Sequence, residues 1–181
     1  MGPSHVNQFD RVTSVSLPPE SLVRGIYGAV SLADAYSIEL PPEASTNPER
    51  LARFIFAQQP AWIRNLTAVR DALVAGFGLK TARHLGSPAA NDKASRVAFL
   101  KIYSTGQNEI VLGEDDKHLD FRVSVLCLGQ SSVTGRRLVM STVVRCHNRL
   151  GRLYIRLIAP FHRLIVQASL RHAARAGWPP A

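Results

Sequence analysis

The stretch LGRLYIRLIAPFHRLIVQASLRHAARA, Leu150 to Ala176, decides how the rest of the chain has to fold. Apolar residues fall at Leu150, Leu153, Tyr154, Leu157, Ile158, Phe161, Leu164, Ile165 and Ala168. That is the i, i+3, i+4, i+7 recurrence of a helix with one buried face. Arg149, Arg152, Arg156, Arg163, Arg171 and Arg175 flank it, with His162 and His172 among them and no acidic residue. About 27 residues at 1.5 Å each make a rod of roughly 40 Å, longer than a small domain needs. Pro160 removes the bond to the carbonyl of Arg156 and predicts a kink; the alternative is a break into two shorter helices. An apolar stripe of this length has to be covered, so a sheet and two shorter helices upstream are expected to wrap it.

The upstream chain supplies them. Ala35-Tyr36-Ser37-Ile38-Glu39-Leu40 alternates with period two until Pro41-Pro42, which reads as a first strand at a sheet edge. Asn47 then caps a helix with Pro48 at its first position and Leu51, Phe54 and Ile55 on its apolar face; Pro60 ends it. A second helix runs from Ala61 or Trp62 to Val74 and stops at Gly76-Phe77-Gly78, and a polar loop spans Lys80 to Arg96. From Val97 the period changes to two, giving strands at Val97–Ser104, Glu109–Gly113, His118–Leu128 and Arg137–His147. Hairpins are expected at Thr105–Asn108, Glu114–Lys117 and Gln130–Gly135. Leu119, Phe121, Val123, Val125 and Cys127 share one strand face, opposite Asp120, Arg122 and Ser124, the pattern of a sheet with one wet side. In the last strand the two sets differ less, so its outer side is expected to be partly covered. Residues 1–30 read as a partly irregular extension, with a turn and short helix near Pro18-Pro19, and residues 31–178 as one α+β domain.

Composition narrows the function classes. A chain of 181 residues with 46% apolar and 19% charged residues is globular. No apolar run reaches the ~18 residues of a membrane span, and the polar start lacks a secretory signal, so a cytoplasmic protein is expected. Cys127 and Cys146 lie in strand-like segments and read as reduced buried thiols; no Cys or His set has metal-ligand spacing, and neither metal nor cofactor is expected. The net charge of +9 suits an anionic partner or only a solvated flank. Without a base-stacking motif or zinc finger, nucleic acid is not expected, which leaves peripheral contact with anionic lipid or an acidic protein.

Two signatures carry a family resemblance. Asn108 to Val125, reading NEIVLGEDDKHLDFRVSV, resembles the first signature of a bacterial domain-of-unknown-function family. Thr142 to Tyr154, reading TVVRCHNRLGRLY and running on to Pro160-Phe161-His162-Arg163, resembles its second. That family is similar in fold to the START-like, birch-allergen-like (SRPBCC) superfamily. The resemblance spans roughly Asp34 to Arg175 and implies a helix-grip fold, in which a curved antiparallel sheet closes around a long C-terminal helix and leaves a cavity. The superfamily includes lipid and sterol carriers as well as cyclases, so it implies no single activity and transfers no catalytic residue.

Three functions follow as expectations. The first is a hydrophobic or amphipathic small molecule held between sheet and helix; a filled core with no cavity above ~300 Å³ would count against it. Trp62, Phe99, Tyr103, Phe121, Tyr154 and Phe161 are its candidate lining, with two or three expected to touch a ligand. The second is a cyclase- or hydrolase-like enzyme using His118, Asp120 or His147 as an in-cavity acid or base, with Arg122 holding an anionic group. The bland alternatives are a charge ladder on the wet face for His118, Asp120 and Arg122, and a capping or packing role for His147 beside Asn148, which suits the N-cap of the last helix. The third is a module that docks anionic lipid or an acidic partner through the arginine flank of the last helix. Glu114-Asp115-Asp116 lacks the spacing of a calcium loop and reads as a solvated turn.

Overall fold

Alternation in the sequence becomes a sheet because each strand has one set of side chains that water disfavours. The computed structural model describes residues 8–60, 62–63, 95–129 and 135–181. Its strands are β1 (Thr13–Val15), β2 (Leu32–Leu40), β3 (Arg96–Val97), β4 (Leu100–Thr105), β5 (Glu109–Asp115), β6 (Leu119–Leu128) and β7 (Arg136–Cys146). They form one open, wholly antiparallel sheet in the order β1-β2-β7-β6-β5-β4-β3. The described helices longer than one turn are α1 (Pro48–Ala57) and α2 (Arg149–Ala176). The protein is therefore α+β, with a long C-terminal helix.

Both expected caps are present. The Asn47 side chain accepts from Arg50 N at 2.9 Å with Pro48 opening α1, and the Asn148 side chain accepts from Gly151 N at 2.9 Å to start α2. α2 continues through Pro160, which excludes a break into two helices. Among the described residues no helix is long and apolar enough to cross a membrane. The expected second helix at Ala61–Val74, the loop at Lys80–Arg96 and the Gln130–Gly135 hairpin fall almost wholly outside the described residues. The expected strand at Val97–Ser104 is divided by a turn at Ala98 and Phe99, Ala98 having φ +54°. Two further readings need correction. β1 is a strand within the extension, so β2 is not at the edge, and residues 18–29 make turns, with no short helix.

The two helices lie on one face of the sheet. Leu51, Ala52 and Ile55 of α1 and Val166, Leu170 and Ala173 of α2 meet Ile38, Ile110, Leu112, Val125 and Leu138 in the main core. Each large side chain fully buried there contributes about 1.5–3 kcal/mol. The phase of α2 is not the one its apolar count suggests. Its buried line is Gly151, Ile155, Val166, Ser169, Leu170 and Ala173, while Leu153, Leu157, Phe161 and Leu164 are 65%, 65%, 46% and 61% exposed. Gly151 is required by a close approach, because a Cβ there would collide with the carbonyl oxygen of His118.

The opposite face is not wet. Val23, with Leu17 and Tyr27 against it, packs on Val111 and Val143. Buried Glu109 accepts hydrogen bonds from Ser21 Oγ (2.7 Å), from Leu22 N (2.9 Å) and from the Ser124 hydroxyl. The partial covering expected outside β7 thus extends to β5 and β6.

Candidate functional site

The strand ends and the first half of α2 diverge enough to leave a cavity of about 240 Å³, short of the ~300 Å³ threshold set from sequence. The sheet contributes Leu119, Phe121 and Val123 from β6 and Met140, Thr142 and Val144 from β7. α2 contributes Tyr154, Ile155, Ile158, Ala159, His162 and Ser169, and Ile55, Phe56 and Ile63 close a further side. Beyond Val166 the same helix packs solidly on α1 through Leu170 and Ala173.

Polar groups are few and concentrated. His162 Nε2 lies 3.2 Å from Thr142 Oγ1 and 3.5 Å from Asp34 Oδ1. Asp34 is on the inner face of β2, its side chain 8% exposed, with Arg163 Nε at 3.8 Å. Among the described residues neither Asp34 carboxylate oxygen and not Ser169 Oγ has a hydrogen-bond partner. Burial, with the Asp34 charge beside it, pushes the Tyr36 phenol above its ordinary value. Glu114 and Asp116 enter the lining from the β5–β6 hairpin, Glu114 with Arg96 Nη1 at 3.5 Å.

The candidate aromatics divide evenly. Phe99, Phe121 and Tyr154 line the cavity. Trp62 and Phe161 are 48% and 46% exposed, and Tyr103 lies under Arg122, whose Cζ is 3.5 Å from its ring centroid. None of His118, Asp120 and His147 is in the lining. Asp120 pairs with His147 Nε2 at 2.9 Å on the outer face, while His118 Nδ1 accepts from Asn148 Nδ2 at 2.9 Å, beside the α2 cap. The geometry gives His147 a contact with Asp120 just past the end of β7 and sets His118 against the cap residue Asn148. It places no two of the three in the cavity.

Arg122 is buried rather than part of a solvated ladder: its Nη1 donates to Asp115 Oδ1 at 2.8 Å and to the Phe121 carbonyl at 2.8 Å. Tyr103 Oη donates to Asp115 Oδ2 at 2.8 Å. Burial pushes Asp115 upward, but the bonds from Arg122 and Tyr103 outweigh it and hold the carboxyl below its ordinary value. Burial pushes both Tyr27 and Tyr103 up to about 12, Tyr103 with help from its bond to Asp115. Glu114 and Asp115 thus point to opposite sides of β5. Among the described residues no group of acidic, His or Cys side chains is placed to hold a metal. The two thiols are free, Cys127 buried and Cys146 only partly so, and burial pushes Cys127 up to about 11.

Asp34, Thr142, His162 and Ser169 were not singled out from sequence. Each nonetheless interrupts an apolar phase: Asp34 precedes Tyr36 and Ile38 on one strand face, and His162 and Ser169 share the helix face of Ile155 and Val166. The family described as Protein of unknown function (DUF2867) matches residues 26–169. No curated protein and no solved structure matches the chain.

Proposed function

This chain belongs to that family of unknown function, and from its cavity we propose that it binds a small, mainly apolar molecule with one hydrogen-bonding group. The observation that carries the reading is an apolar cavity with polar atoms gathered around His162 on one wall. Ser169 lines the same space, and its buried Oγ, with no hydrogen-bond partner among the described residues, suits a polar atom of the ligand, since a buried polar atom left unpaired costs about 1–3 kcal/mol. At about 240 Å³ the cavity suits a molecule smaller than most drug-sized ligands. The helix-grip arrangement is part of the proposal. An antiparallel sheet, helix insertion after the first long strand and a cavity under the C-terminal helix support the START-like relationship. His118, Asp120 and His147, the acid–base candidates expected from sequence, lie outside the cavity lining.

Native mass spectrometry of the purified chain, followed by solvent extraction, is expected to find a co-purifying hydrophobe. A polarity-sensitive fluorophore should bind the emptied protein and be excluded by Ala159→Phe, which fills the cavity. Absence of both a co-purified molecule and fluorophore binding would falsify the proposal.

A further inference from the structure

We infer that α2 docks on an anionic lipid surface through its outward face, with Leu153, Leu157, Phe161 and Leu164 entering the headgroup boundary. The inference is independent of what the cavity holds. These four residues recur at steps of 4, 4 and 3 along one line of the helix and are all exposed. At ~100° per residue they lie roughly opposite the buried line through Ile155, His162 and Val166. α2 therefore has two apolar faces, of which the described residues cover one.

Charge selects the occupant of the other. Arg149, Arg152, Arg156 and Arg163 run along one edge of the exposed line, and the helix contains no Asp or Glu. Arg149, Arg152 and Arg156 are exposed and have no ion-pair partner among the described residues. An amphipathic helix with Leu and Phe on one face and arginines at its margin fits a bilayer of acidic lipid, where each arginine near the surface strengthens binding roughly fivefold. A second copy fits poorly. Pairing two such faces adds six arginines from each helix, of which Arg163 and Arg175 face carboxylates, Asp34 and Asp10, and the helices themselves supply none. The contact is peripheral, because no described helix is apolar enough to span a membrane.

The test is co-sedimentation of the full chain with vesicles of phosphatidylcholine alone or mixed equally with phosphatidylglycerol. Binding is expected only to the acidic mixture and should weaken as salt rises. Arg152→Glu with Arg156→Glu should weaken it by at least ~25-fold. Leu157→Ser with Phe161→Ser should abolish it, while circular dichroism shows the fold unchanged, since all four positions are exposed. Equal binding to both vesicles, no binding, or retention by the Leu157/Phe161 variant would overturn the inference. So would a concentration-dependent dimer dissolved by the same substitutions, which would make the stripe a subunit interface.

Discussion

The inner face of strands β5–β7 is covered by two helices and keeps a cavity, whereas the outer face of the same strands is covered by an irregular segment and sealed by buried polar bonds. A helix satisfies its own backbone but is a stiff rod about 10 Å across, and it cannot follow a twisted sheet along its whole length. Where α2 diverges from the strands, space remains. The segment around residues 17–27 follows the sheet surface more closely, but its backbone groups then need partners. Glu109 and Ser124 supply them from the sheet. One covering leaves room for a ligand, and the other stakes its stability on a single buried carboxylate.

The largest expected effect tests whether the two coverings are separable. Glu109→Ala removes the acceptor for Ser21, Ser124 and Leu22 N, and loss of such a charged hydrogen-bonded centre costs about 3 kcal/mol. Urea unfolding should show that loss. Hydrogen exchange should show protection disappearing first at residues 17–27. Fluorophore binding in the cavity should persist. Parallel loss of both would show that the faces are coupled and break the contrast.

The next effect contrasts solid and hollow parts of the inner face. Ala52 is fully buried in the packed region, so Ala52→Leu overpacks it and should cost about 1–3 kcal/mol. Ala159 lines the cavity, so Ala159→Leu should change stability by less than about 1 kcal/mol in either direction. Thermal melts of the two variants measure the difference directly. Equal destabilisation would mean that no usable space lies beside Ala159.

The same contrast explains what sequence reading could reach. β5, β6 and β7 lie within two residues of expectation at either end, because alternation of in and out has a period that sequence displays. Asn47 and Asn148 were legible as caps for the same local reason. The face of α2 was not legible. Leu153 and Leu157 are as apolar as Ile155 and Ile158, and periodicity cannot say which line meets the sheet. The outer covering has no period at all, so β1 and the Val23 cluster leave no regular trace. His118, Asp120 and Arg122 do share a strand phase, yet each finds a separate partner, and only the tertiary neighbours Asn148, His147 and Asp115 determine that. His162 and Asp34 were visible only as polar residues inside apolar phases.

A smaller effect sharpens the account of the outer face. Tyr27 Oη is buried and, among the described residues, has no hydrogen-bond partner, so Tyr27→Phe should be neutral or stabilise by up to about 1 kcal/mol. Its raised pKa gives a sign to check. The folded protein retains the phenolic proton up to about pH 12 while the unfolded chain releases it near 10, so stability is full below pH 10 and falls through the interval above it. Tyr27→Phe should therefore make the alkaline limb shallower. Unchanged alkaline behaviour would assign that limb to Tyr103, Tyr36 and Cys127.

The smallest expected effect lies at the acid end. Asp115 is held below its ordinary value of 3.8 in the folded state, although its side chain is 53% exposed. A depressed carboxylate stabilises the fold fully above the unfolded pKa, and that stability is lost as pH falls through the lower folded value. Solvent screening limits the contribution to about 0.5 kcal/mol. Asp115→Asn should therefore lower stability slightly at pH 7 and flatten its decline below about pH 4, measured as urea midpoints across that range. Tyr103→Phe removes one donor and should produce a weaker version of the same flattening. If Asp115→Asn instead steepened the acid limb, the Arg122 cluster would be held by packing on Tyr103 rather than by charge, and the outer face would depend on Glu109 alone for its polar seal.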